Sequence, residues 1–349
     1  MRGEYKVPGG KLVAVDLDVS DGRLSEVSIS GDFFLEPDEA LADLNAALNG
    51  LSTEVGVDHL ASAVDAAIDE TVSLIGFTPE AIGIAVRRAL GKATGWADHS
   101  FDLIPPVTLD PAMHVALDEV IAREVAAGTR QPTLRFWDWD RPLVVIGSFQ
   151  SVRNEVDPDG ATRHGIEVVR RVSGGGAMFM EPGNTITYSL VVPSSLVEGL
   201  SFERSYSFLD DWVIGALADV GVRAHFVPLN DIASDQGKIG GAAQKRFASG
   251  AVLHHVTMAY DIDADKMLEV LRIGREKLSD KGTTSANKRV DPMRSQTGMT
   301  REAIIESFMA SFARGHRTTP AAYSQAELDQ ARQLVDAKFA TPAWTHRVP

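Results

Sequence analysis

Between residues 170 and 179 the chain reads Arg170-Arg171-Val172-Ser173-Gly174-Gly175-Gly176-Ala177-Met178-Phe179. Three successive glycines have no side chain to hold a ligand off. Their backbone N–H groups can wrap an anion at φ angles that glycine tolerates. The two arginines beside them add forked donors suited to phosphate or carboxylate. The same letters also fit a β-hairpin with a glycine turn and two surface arginines, and composition leaves both readings open. A second group follows in three pieces: Asn230-Asp231-Ile232, then Gly237-Lys238-Ile239-Gly240-Gly241-Ala242-Ala243-Gln244, then Leu253-His254-His255-Val256-Thr257. A lysine among Gly and Ala has little side-chain cover, so its ammonium can lie against a ligand held close to backbone. A surface lysine on an edge strand is the alternative. Adjacent histidines on a strand point to opposite faces, so His254 and His255 cannot both ligate one ion, and a packing or hydrogen-bonding role is expected.

Other chemistries are excluded by what is missing. Lys11, Lys92 and Lys238 follow glycines but precede Leu, Ala and Ile, where a Walker A loop needs Ser or Thr, and there is no G-x-G-x-x-G. Asp16, Asp18 and Gly22 do not keep the spacing of a calcium loop. No cysteine is present, which removes disulfides, Cys-zinc sites and thiol nucleophiles. With 34 basic and 48 acidic side chains the net charge is −14, which argues against broad binding to nucleic acid or anionic lipid. No stretch approaches the roughly 18 apolar residues of a membrane span, and MRGEYKVPGG has no signal or transit pattern. A cytoplasmic protein without membrane or nucleic-acid partners is expected.

The elements that must position these residues divide into two regions. Val13, Val15, Leu17 and Val19 alternate with Ala14, Asp16 and Asp18, which predicts a strand. Asp21-Gly22 supplies a turn, 24–34 the hairpin partner, and helices are expected near 38–49, 58–70 and 79–90. Thr78 can cap the last of these, Pro79 suits its first position, and Gly91 can take a left-handed C′ conformation. Residues 1–92 thus form a small α+β domain. The stretch 93–106, with Gly95, Pro105 and Pro106 and no periodicity, reads as a linker. The main domain, 107–349, opens on a helix capped by Asp110, with Pro111 first and Gly128 just beyond its end. Strands are expected at 133–137, 143–146, 166–171, 185–192, 222–227 and 251–260, with a helix through Phe208, Leu209, Trp212, Ala216 and Val220. The mixture predicts α+β.

Taken in order, RRVSGGGAMFMEPGN, NDI, GKIGGAAQ and LHHVT resemble the motif set of lipoate-protein ligases, and Lys281-Gly282-Thr283-Thr284-Ser285 with Arg289-Val290 continues the likeness. The resemblance covers most of 107–349. The N-terminal region resembles the family's accessory domain, which in many ligases follows the catalytic domain and here precedes it; two domains that dock through a surface tolerate either order. The resemblance implies a mixed-sheet fold like that of biotin ligases and class II aminoacyl-tRNA synthetases. It places Arg171, Gly176, Ala177, Met178 and Phe179 at an ATP or adenylate site. Arg170, Ser173, Gly174, Gly175 and His255 fall on the lipoate side. Lys238 matches the lysine that contacts both acyl carboxylate and phosphate, and Asp231 is the candidate carboxylate for holding magnesium or positioning the amine. Met180-Glu181 stands where the family often has His-Asp, and HHVT where it often has HHGT.

The activity implied is ATP-dependent: lipoate becomes lipoyl-adenylate, with magnesium on the pyrophosphate, and the acyl group passes to a lysine of a lipoyl domain. Lipoyl domains of 2-oxoacid dehydrogenases and the glycine-cleavage carrier protein are the implied partners. One alternative is an octanoyltransferase of the same fold drawing on acyl carrier protein. Versions of that reaction that pass through a thioester need a cysteine. The other alternative is a non-catalytic lipoate-binding protein.

Overall fold

The computed structural model describes residues 1–91, 93–272 and 292–349. Lys92 and 273–291, the latter containing Lys281–Ser285 and Arg289-Val290, lie outside the described residues. The chain separates into two compact units, Met1–Asp98 with Ser194–Phe208, and His99–Pro193 with Leu209–Pro349.

In the first unit β1 (Arg2–Lys6), β2 (Leu12–Ser20) and β3 (Arg23–Gly31) make an antiparallel sheet, and β4 (Phe34–Glu36) pairs with β5 (Ser73–Ile75). Val13, Val15 and Leu17 are buried as the alternation requires, whereas Ala14 is buried as well and Val19, near the strand's end, is exposed. Three helices follow the pattern expected: α1 (Ala40–Leu48), α2 (Val57–Asp65) and α3 (Pro79–Leu90). Thr78 accepts from the Ala81 N–H and Pro79 opens α3, as predicted. Gly91 is not left-handed: its φ is −80°. Its missing side chain serves space, because a Cβ there would lie 2.6 Å from Glu198 Cγ. Arg88, 2% exposed, donates to the carbonyls of Glu4, Thr94, Leu196 and Glu198 and so fastens 194–208 to the helix. Burial pulls its pKa down to about 10.

The second unit is built on an eight-stranded mixed sheet. In chain order its strands are β6 (Phe101–Leu109), β7 (Thr133–Trp139), β11 (Thr185–Pro193), β12 (Ala224–Val227), β13 (Asp231–Ser234), β14 (Lys238–Arg246), β15 (Ala251–Ala259) and β16 (Thr318–Pro320); across the sheet they run β12-β13-β14-β15-β11-β7-β6-β16. A smaller sheet holds β8 (Leu143–Ile146), β9 (Glu167–Arg170) and β10 (Met178–Met180) in the order β10-β8-β9. The α+β expectation holds. Residues 101–106, expected within a linker, instead belong to β6. That strand carries Pro105 and Pro106 because its register with β7 shifts between Ile104 and Val107, where ladder donors are not required.

Helix α4 (Pro111–Ala127) has the predicted punctuation, with Asp110 accepting from Ala112 N–H and Gly128 left-handed at φ 70°. It is buried on nearly every side. Val115, Leu117, Val120 and Ile121 join Trp137, Trp139, Val191 and Leu253 in one core with Phe339 from the C-terminal segment. Arg170, wholly buried, binds that segment in place: it donates to the carbonyls of Trp344 and Thr345 on one side and Gly147, Ser148 and Gln150 on the other. Replacing Arg170 by Leu strands these buried acceptors. We expect it to lower unfolding free energy by about 3 kcal/mol or more. A urea-melt change within about 0.5 kcal/mol would show that the carbonyls do not depend on it.

Candidate active site

The register of the large sheet sets the site. Asp231 faces Gly241, Gly241 faces Thr257, Thr257 faces Thr187 and Thr187 faces Trp137, one row across five strands. The next row is Ala243, His255, Ser189 and Arg135. Small residues in the middle of the first row leave room. A cavity of about 130 Å³ lies there, with an apolar wall of Trp137, Trp139, Val145, Met178 and Met180. Its polar groups are Arg171, Thr187, Asn230, Lys238, His255 and Thr257, and backbone at Gly176, Ala177 and Gly241–Ala243 completes it.

Lys238 opens β14 and lies across the sheet to Asp231, with Nζ 2.8 Å from Oδ1. Gly241 makes this path possible, since a Cβ there would sit 3.2 Å from the lysine nitrogen and 3.5 Å from the carboxylate. Asn230 donates to the Ala242 carbonyl and closes the strand end.

The glycine loop meets the lysine at the same cavity. Arg171 braces it from within: Nε donates to Ser173 Oγ at 3.0 Å and Gly174 O at 3.1 Å, and Nη2 to Gly174 O at 2.5 Å and Gly176 O at 2.9 Å. In a trans peptide the N–H points opposite to the carbonyl of the same plane, so the N–H groups of Gly175 and Ala177 turn away from the guanidinium. Among the described residues no acceptor takes the N–H groups of Gly174 through Ala177. Gly175 has φ +87°, and a Cβ there would come within 2.9 Å of Arg171 Nη2, so this position needs glycine on both counts.

His255 lines the cavity with its Nδ1 3.2 Å from Asp118 Oδ2 and its Nε2 2.6 Å from Ser173 Oγ. His254 points to the opposite face, 2.6 Å from Asp210, which also accepts from Tyr188. The two histidines therefore serve different sides of β15, as strand alternation requires. Arg135, fully buried, donates to Asp118 Oδ1 at 2.6 Å. Burial works to raise the Asp118 pKa, but Arg135 and His255 outweigh it and hold the carboxyl below its ordinary range.

Several expected site residues stand elsewhere. Arg170 is off the cavity with its donors on backbone carbonyls, because neighbouring strand residues face opposite ways and only Arg171 faces inward. Phe179 packs with Val144 and Ile146 in a separate core behind β10. Ser173 is 1% exposed and, like Gly174 and Gly175, flanks the cavity without lining it. Met180, where the family often has His, forms part of the apolar wall with Sδ 3.8 Å from the Thr187 hydroxyl, and Glu181 pairs with Lys266 away from it. Sequence reasoning missed Asp118, Arg135, Trp137 and Trp139. The available signal was a charge inside the apolar run Arg135-Phe136-Trp137-Asp138-Trp139, which calls for a buried counter-charge.

Burial, opposed in part by Asp118, holds the His255 pKa below 6.5, and burial together with Arg135 takes His114 to about 3. Both rings are neutral in the fold and titrate near 6.5 when unfolded, so below that pH the unfolded chain takes up protons the folded chain refuses. This contribution to stability is complete above about 6.5 and is lost as pH falls toward the folded values. We expect the urea midpoint to drop between about pH 7.5 and pH 5 and the His255 ring to titrate below 6.5. A His255 midpoint at or above 6.5 by NMR would contradict this placement.

The lipoyl protein ligase A/B catalytic domain matches residues 110–313. Lipoate-protein ligase A subunit 1 of Thermoplasma acidophilum is 32% identical over 66% of this chain and 90% of its own. An octanoyltransferase, LipM of Halalkalibacterium halodurans, is 24% identical over 68% of this chain and 95% of its own. Among solved structures, the bipartite lipoate ligase of T. acidophilum, described with its E2 lipoyl domain, superposes with TM-score 0.63 at 28% identity, covering 72% of this chain and 98% of that one. A lipoate-protein ligase A bound with ATP gives 0.61 at 25% identity, covering 72% and 100%. The motifs, the sheet that brings them together and these likenesses agree: the chain belongs to the lipoyl protein ligase A/B catalytic domain family.

Proposed function

We propose that this protein is an ATP-dependent lipoate-protein ligase. The observation that carries the reading is the meeting of Lys238 with the loop backbone at Gly176 and Ala177, whose N–H groups have no acceptor among the described residues, in one cavity that has an apolar wall. Cation and N–H donors suit a carboxylate and a phosphate held side by side, and the tryptophan and methionine wall suits an acyl tail. In the first step a carboxylate oxygen attacks the α-phosphorus of ATP and pyrophosphate leaves. Lys238 and the loop N–H groups face the charge that spreads over the phosphate oxygens, a role worth about 10²–10³ in rate for a well-aimed donor. In the second step the amine of an acceptor lysine attacks the acyl carbonyl, AMP leaves, and positioning contributes most of the acceleration.

Arg171 enters this reading as the brace of the loop, since its donors are engaged by loop carbonyls. Met178 contributes to the wall, Ala177 and Gly176 to the anion cradle, and His255 to the polar side near the acyl carboxylate. Among the described residues no three of His, Asp or Glu converge to hold a metal. Asp231 is a single carboxylate paired with Lys238, which fits magnesium only as one ligand beside phosphate oxygens and water. When bound, magnesium would neutralise charge on the departing pyrophosphate.

Acceptors in this reading are lipoyl domains of 2-oxoacid dehydrogenases and the glycine-cleavage carrier protein, as the E2 lipoyl domain described with the T. acidophilum ligase suggests. The first unit serves as the accessory domain, and the setting is the cytoplasm. A second reading, octanoyl transfer from acyl carrier protein, is favoured by the relatives named LipM. The absence of cysteine weighs against a thioester route.

Pyrophosphate exchange separates the two. With lipoate or octanoate and ATP the ligase incorporates labelled pyrophosphate into ATP, and a transferase does not. Lys238→Ala should reduce exchange by about a hundredfold or more. Exchange that persists near the parent rate in this variant would refute the role of Lys238, and none in the parent would refute adenylate chemistry.

A further inference from the structure

A single file of hydrogen bonds leads from the core of the second unit to the head of the glycine loop. It starts at Arg135, whose Nη2 donates to Asp118 Oδ1 at 2.6 Å and to the His114 carbonyl at 2.7 Å. Asp118 Oδ2 lies 3.2 Å from His255 Nδ1. His255 Nε2 lies 2.6 Å from Ser173 Oγ, and Ser173 also receives Arg171 Nε at 3.0 Å. We propose that Asp118 is a positioning residue of this site: it fixes His255 as the Nδ1–H tautomer, and through Ser173 this sets where the glycine loop begins.

The direction of every bond follows from chemistry. A guanidinium only donates and an ionised carboxylate only accepts, so Arg135 makes Asp118 the acceptor at both ends and His255 must carry its proton on Nδ1. Nε2 is then a bare acceptor. Arg171 Nε, again only a donor, takes one lone pair of Ser173 Oγ, which leaves the hydroxyl proton to be donated to Nε2. The Ser173 carbonyl in turn accepts from the Ser148 N–H, so the residue is held by both backbone and side chain immediately before Gly174. Burial of His255 keeps the ring neutral, as this arrangement needs.

Asp118→Asn reverses the file without changing its size. Arg135 can face only the amide oxygen, which turns the NH2 toward His255 Nδ1 and drives the ring proton to Nε2. Ser173 Oγ then meets two donors, and its own proton has no place in the file. Loss of the partner that orients a metal-bound histidine commonly costs about 10- to 100-fold in activity, and we expect a loss of that order here.

The test is long-range ¹H–¹⁵N NMR of histidine side chains in the full chain, with His255 assigned by its loss in His255→Gln. The parent should show neutral Nδ1–H, and Asp118→Asn neutral Nε2–H. Ser173→Ala keeps Asp118 and so should keep Nδ1–H. An Nε2–H ring in the parent or in Ser173→Ala overturns the proposal even if Asp118→Asn fails to fold, as does an unchanged tautomer in a folded Asp118→Asn. Its effect on rate rests on the ligase reading and is measured by pyrophosphate exchange. Asp118→Asn should lower kcat about 10- to 100-fold in the parent and less than about threefold in a Ser173→Ala background. Losses that multiply independently would overturn the coupling. The predicted tautomers together with no exchange in the parent would support the positioning and refute the ligase.

Discussion

A guanidinium with no solvent around it cannot be left unpaired, and Arg135 sits in that position between α4 and the large sheet. An uncompensated ion there would cost several kcal/mol, so Asp118 must face it and α4 has one acceptable rotation on the sheet. One turn earlier the same helix lays His114 flat on Trp137, with centroids 4.9 Å apart, and bonds the Asp138 carbonyl at 2.7 Å. Asp118 has a second oxygen to spare, and it turns that oxygen to His255. A demand of the core thereby becomes the geometry of a cavity wall.

The remaining geometry is a matter of register. Residues two apart on β7, β11, β14 and β15 share a face, which aligns Thr187 with Trp137, Thr257 and Gly241, while Lys238, three residues before Gly241, reaches the same cavity because the β13–β14 register shifts between Ile232 and Ala233. Residues far apart in sequence, Trp137, Thr187 and Thr257 among them, converge because the sheet sets β11 between β7 and β15. A slip of one residue would turn Lys238, His255 and Trp137 to the opposite side.

Much of this was legible from residue order. Helices α3 and α4 announce themselves by Thr78-Pro79 and Asp110-Pro111, because a cap and a donor-free first position are local requirements. The opposition of His254 and His255 followed from strand alternation. The same rule, applied to Arg170 and Arg171, separates a bolt of the C-terminal segment from a brace of the glycine loop, yet identical residue types obscured it. The first six residues of β6, Phe101–Pro106, read as linker in sequence because the prolines are tolerated only by a bulge, and a bulge depends on the partner strand. Asp118 was hidden in a helix buried on nearly every side, where periodicity does not mark out one face. Its role comes from an arginine on another element.

The bond between Lys238 and Asp231 bears on how the cavity discriminates among anions. A carboxylate fixed to the neighbouring strand competes for the ammonium at an effective concentration on the order of millimolar or higher. Chloride or acetate, with one point of attachment, gains little by displacing it. An acyl phosphate that also reaches the glycine N–H groups has several contacts to set against one. In the proposed ligase reaction, the tethered carboxylate would then be at hand to reclaim the lysine once the acyl phosphate is consumed and hasten the departure of what is left.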